Sequence, residues 1–522
     1  MNRLTKSALL VALAFGLNKI LAIARQIIVL RIFGLSAEMD VFNVANNIPD
    51  LLYALISGGA LAMALIPVLS EVIAREGRAS AWRVFNSVAN VAFILTAVFS
   101  VIVALLAGFL VRGALGIAPG FNPEQQNLVI NLMRLNLIAT LIFSMAGLLI
   151  AGLQANKHFL LPAVAPILYN VGQIFGAVIL APSEPVRIGS LALPAFGLGA
   201  YGLVYGVLLG SVLFFLLQIP ALIAHQYRWY PILDLKNNDA HKILTMLGPR
   251  VAGMFFYQLT FIARDNIASH LSIGSITALT NGWMILQVPE TIIGTALGTV
   301  LLPSIAEQFS THKLKEFRET IITSARVLVA LALPAAIVLI AAIPPFLAFA
   351  SQVGSADFET LTWVTRAFLL GLTGHCLLEL STRIFYAQQN AFIPMLAAGF
   401  NLIIFSSVGW LLSTRLAASG LALADAIAFT SQALILFFLF FRNKDKIINK
   451  ESGRNGYLPI INTILRSLTG GAGGTLVFII VTRVFGGLPE LIIASIGAIL
   501  GFISALIWVL PELRAFMRIQ EN

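Results

Sequence analysis

The chain has 522 residues, of which 59% are hydrophobic and only 11% charged. A soluble chain of this size would show several helices with wide polar faces; here apolar runs of about 20 residues recur from end to end, each long enough to cross a hydrocarbon core roughly 30 Å thick. The net charge of +10 does not call for nucleic acid, because much of it sits in short loops between the runs, and the single cysteine, Cys376, excludes an internal disulfide.

In chain order the runs predict about fourteen membrane-spanning helices, at roughly 8–33, 41–69, 86–112, 127–154, 159–181, 197–224, 243–271, 275–306, 321–350, 358–386, 391–413, 418–441, 459–484 and 488–510. The start, MNRLTKSALLVALAF, runs into the first span without a small-residue cleavage site, so no cleavable signal peptide is expected. Alternate loops differ sharply in basic residues. One set holds Arg75, Arg78 and Arg83; Lys157; Arg228, Lys236 and Lys242; Lys313, Lys315 and Arg318; and Arg442, Lys444, Lys446, Lys450 and Arg454. The other offers little beyond Arg112, Arg187, Arg415 and Arg483. The basic set is expected to be cytoplasmic, which with an even span count puts both termini there.

The chain repeats itself. Ala60-Leu61, Leu65, Pro67 and Glu71 recur at a constant offset as Ala296-Leu297, Leu301, Pro303 and Glu307. Upstream, Ile23-Ala24-Arg25 is echoed by Ile262-Ala263-Arg264, and Pro49-Asp50 by Pro289-Glu290; Asn156, Phe159, Pro162 and Asn170 have a weaker echo in Asn390, Phe392, Pro394 and Asn401. Short matches in one order argue for duplication. Each copy holds six spans, an even number, so the copies share an orientation and are expected to be related by an axis along the membrane normal. The expected architecture is all-α: a six-helix lobe over 1–226, a second over 240–442, and two added helices within 456–522.

Charge inside the apolar runs is the second signal. Lys19 and Arg25 lie within span 1, Asp40 just beyond it, and Arg134, Arg250, Arg264, Asp265, Arg366 and Arg383 within or beside others. A cation at the bilayer centre costs roughly 2.5–3.5 kcal/mol on insertion scales, so such residues face a polar pathway or a partner. Lys19 and Arg25, six positions apart, are separated by about 9 Å along a helix and about 120° around it, so they do not share one stripe. The bland readings are that both snorkel, that Arg31 anchors at the interface, and that Arg264 and Asp265 neutralise each other, although adjacent helical residues diverge. Arg366, Glu379 and Arg383 are expected to form a structural network within span 10. Asn401 and Asp425 are candidates to hold a coupling ion through oxygen, but two ligands do not make a site. His270 and His375 show no metal-ligand spacing, and no Walker loop, dinucleotide fingerprint or Ser-His-Asp set appears.

Ala24-Arg25 through Arg31-Ile32-Phe33-Gly34, Asp40 with Phe42, Pro49 to Leu52, Gly59-Ala60 to Pro67, Pro162 to Asn170, Gly248-Pro249, Ala296 to Pro303 and Phe385-Tyr386 to Pro394 together resemble the MurJ (MviN) family of lipid II flippases in the MOP exporter superfamily. The resemblance implies a transporter, not an enzyme, that carries lipid-linked peptidoglycan precursor across a bacterial cytoplasmic (inner) membrane by alternating access. It implies no bound cofactor, with Na+, H+ or the membrane potential as the coupling source, membrane lipids and a lipid-linked diphosphate-sugar as partners, no nucleic acid, and a monomer. It places Lys19, Arg25 and Asp40 at the substrate, and helices 13 and 14 around its tail. The chain departs from the family pattern at Tyr53 and Gly58, and at Trp283, Met284 and Gln287, where span 8 lacks the usual charges. Arg264 and Asp265 are the expected replacements in the substrate site. A flippase for another polyprenyl-diphosphate glycan would look nearly identical. A cation-coupled solute or drug antiporter of the superfamily would favour an acidic centre over a basic one.

Overall fold

The computed structural model describes all residues except 1–2, 57–58, 189, 235–237, 352, 443–457, 486–488 and 522. It is almost wholly helical and falls into two compact units, Met1–Gly274 and Ser275–Asn522. The first contains α1 (Arg3–Phe33), α2 (Ala37–Ile56), α3 (Gly59–Glu76), α4 (Arg78–Arg112), α5 (Pro123–Ala155), α6 (Leu160–Phe175), α7 (Ala200–Leu216), α8 (Ile219–Ala224) and α9 (Asn238–Ala268). A short antiparallel hairpin, β1 (Arg187–Ile188) with β2 (Leu191–Ala192), precedes α7. The second contains α10 (Ser275–Glu290), α11 (Ala296–Ser310), α12 (Leu314–Ala350), α13 (Ser355–Leu370), α14 (Leu372–Ala387), α15 (Phe392–Arg442), α16 (Leu458–Val484), α17 (Glu490–Trp508) and α18 (Leu510–Glu521).

Among the described residues, 10 helical stretches are long and apolar enough to span a membrane, or 11 if α13 and α14, bent by 40°, form one span. The stretch Phe392–Arg442 turns at Ala417 (φ 48°, ψ −133°), so it contains the two spans expected over 391–413 and 418–441. The spans expected over 41–69 and 243–271 correspond to α2–α3 and α9, which are richer in charge and fall outside that test. The chain is a multi-span membrane protein.

In the first unit α5 is central, packing against α2, α3, α4 and α7, while α1 lies on α6. Leu65, Phe85, Leu148 and Leu153 are fully buried in an apolar cluster of this unit. The helix α6 continues into a π-helical turn, Gly176–Leu180, where its backbone meets α7: a Cβ on Gly206 would stand 2.7 Å from the Cα of Gly176. Only glycine allows that approach. The segment after α8 is strapped along α4. Trp82 Nε1 donates to the His225 carbonyl at 3.0 Å, Asn86 Nδ2 to Arg228 O at 2.8 Å, and Asn90 Nδ2 to Tyr230 O and Ile232 O at 2.8 and 3.0 Å. Tyr227 completes the strap by donating to Asn86 Oδ1, and burial pushes its phenol up to about 12.

The helix α9, expected to open the second lobe, packs against α2, α3 and α4 of the first unit. Polar bonds near its C-terminal end provide the reason: Asn266 Nδ2 donates to the carbonyls of Ala114 and Gly116, and Ser269 Oγ accepts from the Gly120 amide.

In the second unit α16 and α17 pair with each other and pack on α12. Glu512 of α18 is buried and receives Thr463, Arg326 and Arg466 on one carboxylate oxygen at 3.0, 3.4 and 3.5 Å. Within α12, Pro344 has no N–H for the carbonyl of Ile340 four residues earlier. Arg366 supplies the donor from α13, Nε to Ile340 O at 3.0 Å, while its guanidinium lies 5.2 Å from the Trp363 ring centre. Arg366 therefore caps a proline break and does not bond to Glu379 or Arg383 as the expected network required.

This arrangement makes a paired prediction. Arg366→Leu should lower thermal stability in detergent by the equivalent of about 1–3 kcal/mol, the cost of an orphaned buried carbonyl. Adding Pro344→Ala, which restores the helical N–H, should recover part of the loss. Equal destabilisation with and without Pro344 would refute the capping role.

Candidate functional site

The residues around Arg25 come from four helices of the first unit. Arg25 of α1 donates from Nη1 to the side-chain oxygen of Gln173 on α6, a neutral amide. One turn earlier on α6, Asn170 Nδ2 donates to Asn18 Oδ1 at 2.9 Å, which fixes α1 against α6. Arg25, Asp50 and Tyr53 all lie near enough to Tyr169 to act on it electrostatically. Phe143 of α5 holds both tyrosine rings edge-on, at 6.1 Å from Tyr53 and 4.8 Å from Tyr169. The result is a half-buried guanidinium with phenols and one exposed carboxylate, Asp50, around it. Such a group can offer two N–H donors to an anionic oxygen pair without first breaking a buried ion pair.

The other expected residues are distributed differently. Lys19 is exposed on α1. Asp40 is buried and accepts the Gly274 amide at 2.6 Å, closing the turn after α9. Arg264 and Asp265 are both buried and bond to each other, Nε to Oδ1 at 2.8 Å. Adjacent helical side chains were expected to diverge, but the long arginine folds back over its neighbour, with its guanidinium 5.1 Å from the Phe261 ring centre. Asn47 of α2 donates to the other oxygen of Asp265. The structure thus separates Arg25 and its companions from a locked Arg264–Asp265–Asn47 set. Arg134 is exposed and donates to the Ala104 carbonyl at 3.0 Å, and the side chain of Arg250 lies outside the described residues, as does Gly58.

In the second unit, α10 breaks into a π-helical turn, Thr291–Thr295, before α11. Arg383 of α14 donates from Nη1 to Thr295 O at 3.1 Å and pairs with Glu379 at 3.0 Å. It occupies the space a side chain at Gly298 would need, since a Cβ there would fall 1.6 Å from Nη1. Glu290 accepts from Thr295 Oγ1 at 3.1 Å on the same turn. Trp283 faces Phe368, His375 and Phe429. Asp425 meets His375, Nε2 to Oδ2 at 2.9 Å, and Asn401 is buried with its Nδ2 unpartnered. Among the described residues no group of three or more His, Cys, Asp or Glu is placed to hold a metal ion.

Asp50, Tyr169 and Gln173 were missed as site residues in the sequence. Asp50 carried a signal, since Pro49-Asp50 recurs as Pro289-Glu290. Tyr169 and Gln173 are ordinary polar residues in an apolar helix, and only the packing of α1 on α6 brings them to Arg25.

Solved structures share this fold. An inward closed conformation of the lipid II flippase MurJ superposes with a TM-score of 0.74 at 19% identity, covering 96% of this chain and 98% of that one. An inward-facing multidrug resistance MATE family transporter of the MOP superfamily reaches 0.66 at 15% identity, over 84% and 96% of the two chains. The helical fold is therefore one that both of these solved structures share. A family model described as lipid II flippase MurJ matches residues 29–470. The lipid II flippase MurJ of Burkholderia cenocepacia is 29% identical over 430 residues, 81% of this chain and 80% of its own. A probable lipid II flippase MurJ of Buchnera aphidicola is 26% identical over 471 residues, covering 89% and 88%. The chain belongs to the lipid II flippase MurJ family.

The locked set yields a stability prediction. Asp265→Ala strands a buried cation and the Asn47 amide, so it should cost about 3–5 kcal/mol, read as a large fall in melting temperature. The double variant Arg264→Met with Asp265→Leu should lose much less. If the single variant is the milder of the two, the pair does not stabilise the first unit.

Proposed function

We propose that this chain translocates the lipid-linked peptidoglycan precursor lipid II from the cytoplasmic to the outer leaflet of a bacterial inner membrane, by alternating access and without covalent chemistry. Membership of the family supports the substrate class. The observation that carries the reading is Arg25, a guanidinium within a membrane span whose hydrogen-bond partner is a neutral amide. A diphosphate-sugar head cannot enter hydrocarbon unaided, and an arginine with its charge unopposed by a bonded carboxylate can receive it bidentately.

Lys19, exposed on the same helix, adds a second cation for the head as it enters. Asp50 and the tyrosines provide acceptors and donors to sugar hydroxyls. In this reading Asp40 holds the end of α9 in place, and Arg264 is a reserve cation kept by Asp265 until a stronger anion competes for it. The polyprenyl tail stays in the lipid against α16 and α17. Their exposed Leu465, Leu468, Leu476, Ile499, Ile503 and Ile507 offer apolar surface for it. The membrane potential, at roughly 2.3 kcal/mol per charge per 100 mV, helps return a cationic empty carrier. The protein works as a monomer with both termini in the cytoplasm.

Arg25→Ala should reduce flipping in reconstituted vesicles at least about ten-fold, since each charge-assisted hydrogen bond is worth about 1.5–3 kcal/mol. Arg25→Lys keeps the charge without the fork and should retain part of the rate. Growth of cells depleted of their own lipid II flippase should follow the same order. Normal flipping by Arg25→Ala at wild-type protein levels would remove Arg25 from the substrate site.

A further inference from the structure

We infer that His375 and Asp425 form a proton-binding site inside the second unit, filled and emptied once in each transport cycle. This rests on the transporter reading above and gives its energy coupling a location. The two side chains come from the first turn of α14, just after its 40° bend with α13, and from the second half of α15, about two turns past Ala417. They are 6% and 7% exposed, with Nε2 and Oδ2 2.9 Å apart. Phe429 stacks on the imidazole at 4.2 Å and 26°, and Trp283 of α10 closes another side at 5.3 Å.

The charges facing the pair are few. From α15 there is Asp425 itself and from α10 the uncharged indole of Trp283. On α14, Glu379 is one turn along and is paired with Arg383 at 3.0 Å. Glu290 acts on Glu379 and Cys376 from the end of α10. No cation other than a proton on the imidazole is bonded to Asp425 among the described residues.

The proton count follows from burial. With one proton the pair has no net charge, whether it is written as imidazolium with carboxylate or as imidazole with carboxylic acid. Without that proton it carries one net negative charge among aromatic rings, a state that a dry membrane interior disfavours strongly. Release therefore requires water to reach the pair, and reprotonation lets the helices close on it again. A conformational cycle that wets the site first from one side and then from the other moves one proton, taken from and returned to bulk water. A purely structural hydrogen bond would keep its proton throughout. Imidazole suits the moving role because it exchanges near neutral pH.

The test uses the full chain in proteoliposomes, clamped at zero potential with potassium and valinomycin, with a pH dye trapped inside and lipid II in the membrane. Wild type should move protons when it moves lipid II, and His375→Gln and Asp425→Asn should each reduce that proton movement roughly ten-fold, the size of an ordinary coupling energy. In parallel, nitrogen-15 spectra of histidine-labelled protein, with the His375 signal assigned by its loss in His375→Gln, should show that ring changing protonation as bulk pH is varied. Asp425→Asn should move the midpoint. Lipid II transport by wild type without proton movement, or a His375 signal that never titrates, would overturn the site. If wild type moves no lipid II, the flippase reading fails, and the spectra still decide whether the pair binds a proton. Should a variant misfold, the wild-type flux and spectra decide by themselves.

Discussion

Hydrocarbon supplies no hydrogen bonds, so every carbonyl released from a helix inside the membrane must be met by the protein itself. Much of the intramembrane charge in this chain answers that demand. Arg366 meets the Ile340 carbonyl freed by Pro344, and Arg383 meets Thr295 where α10 relaxes into a π turn. An arginine is suited to this role because its stem reaches across a helix interface and its charge survives burial. The proline in α12 and the π turn after α10 are therefore accommodated by a side chain from another helix.

The same constraint leaves two arginines of the first unit differently held. Arg25 and Arg264 occupy matching places in the sequence repeat, Ile23-Ala24-Arg25 and Ile262-Ala263-Arg264. Arg264 is paired with Asp265 and lies against an aromatic face, and Asp265 is in turn tied to Asn47. Breaking that set would leave a buried charge without a partner. Arg25 is hydrogen-bonded to the weaker dipole of Gln173 and stays half-buried. Duplication supplied two arginines, and their neighbours gave them different work.

The fold class was legible because it depends on length and hydropathy, which a single sequence displays fully. The turn at Ala417 was legible too, since the apolar run was too long for one bilayer. The place of α9 was not, because what binds it to the first unit is a few polar bonds from Asn266 and Ser269, residues that look unremarkable in sequence. Among site residues, the cations stood out against the apolar background, but their partners did not. Gln173 beside Arg25 and His375 beside Asp425 are each separated from their mates by long stretches of chain, and packing alone joins them. The role of Arg366 was recoverable in principle, since Pro344 announces an orphaned carbonyl four residues before it, though not which side chain would reach it.

Charge balance now distinguishes the two units. In the second, the principal carboxylates have cationic or protonatable partners: Glu379 with Arg383, Asp425 with His375, and Glu512 with Arg326 and Arg466. Its remaining arginine among the early candidates, Arg366, is held by a carbonyl and an indole. In the first unit, Arg25 and the exposed Lys19 have no bonded carboxylate among the described residues. An anionic head brought to the second unit would have to displace existing pairs, at the cost of uncovering buried charge. Brought to the first, it would displace one amide. The difference lies in what already holds each cation, an amide at Arg25 and carboxylates or a carbonyl in the second unit.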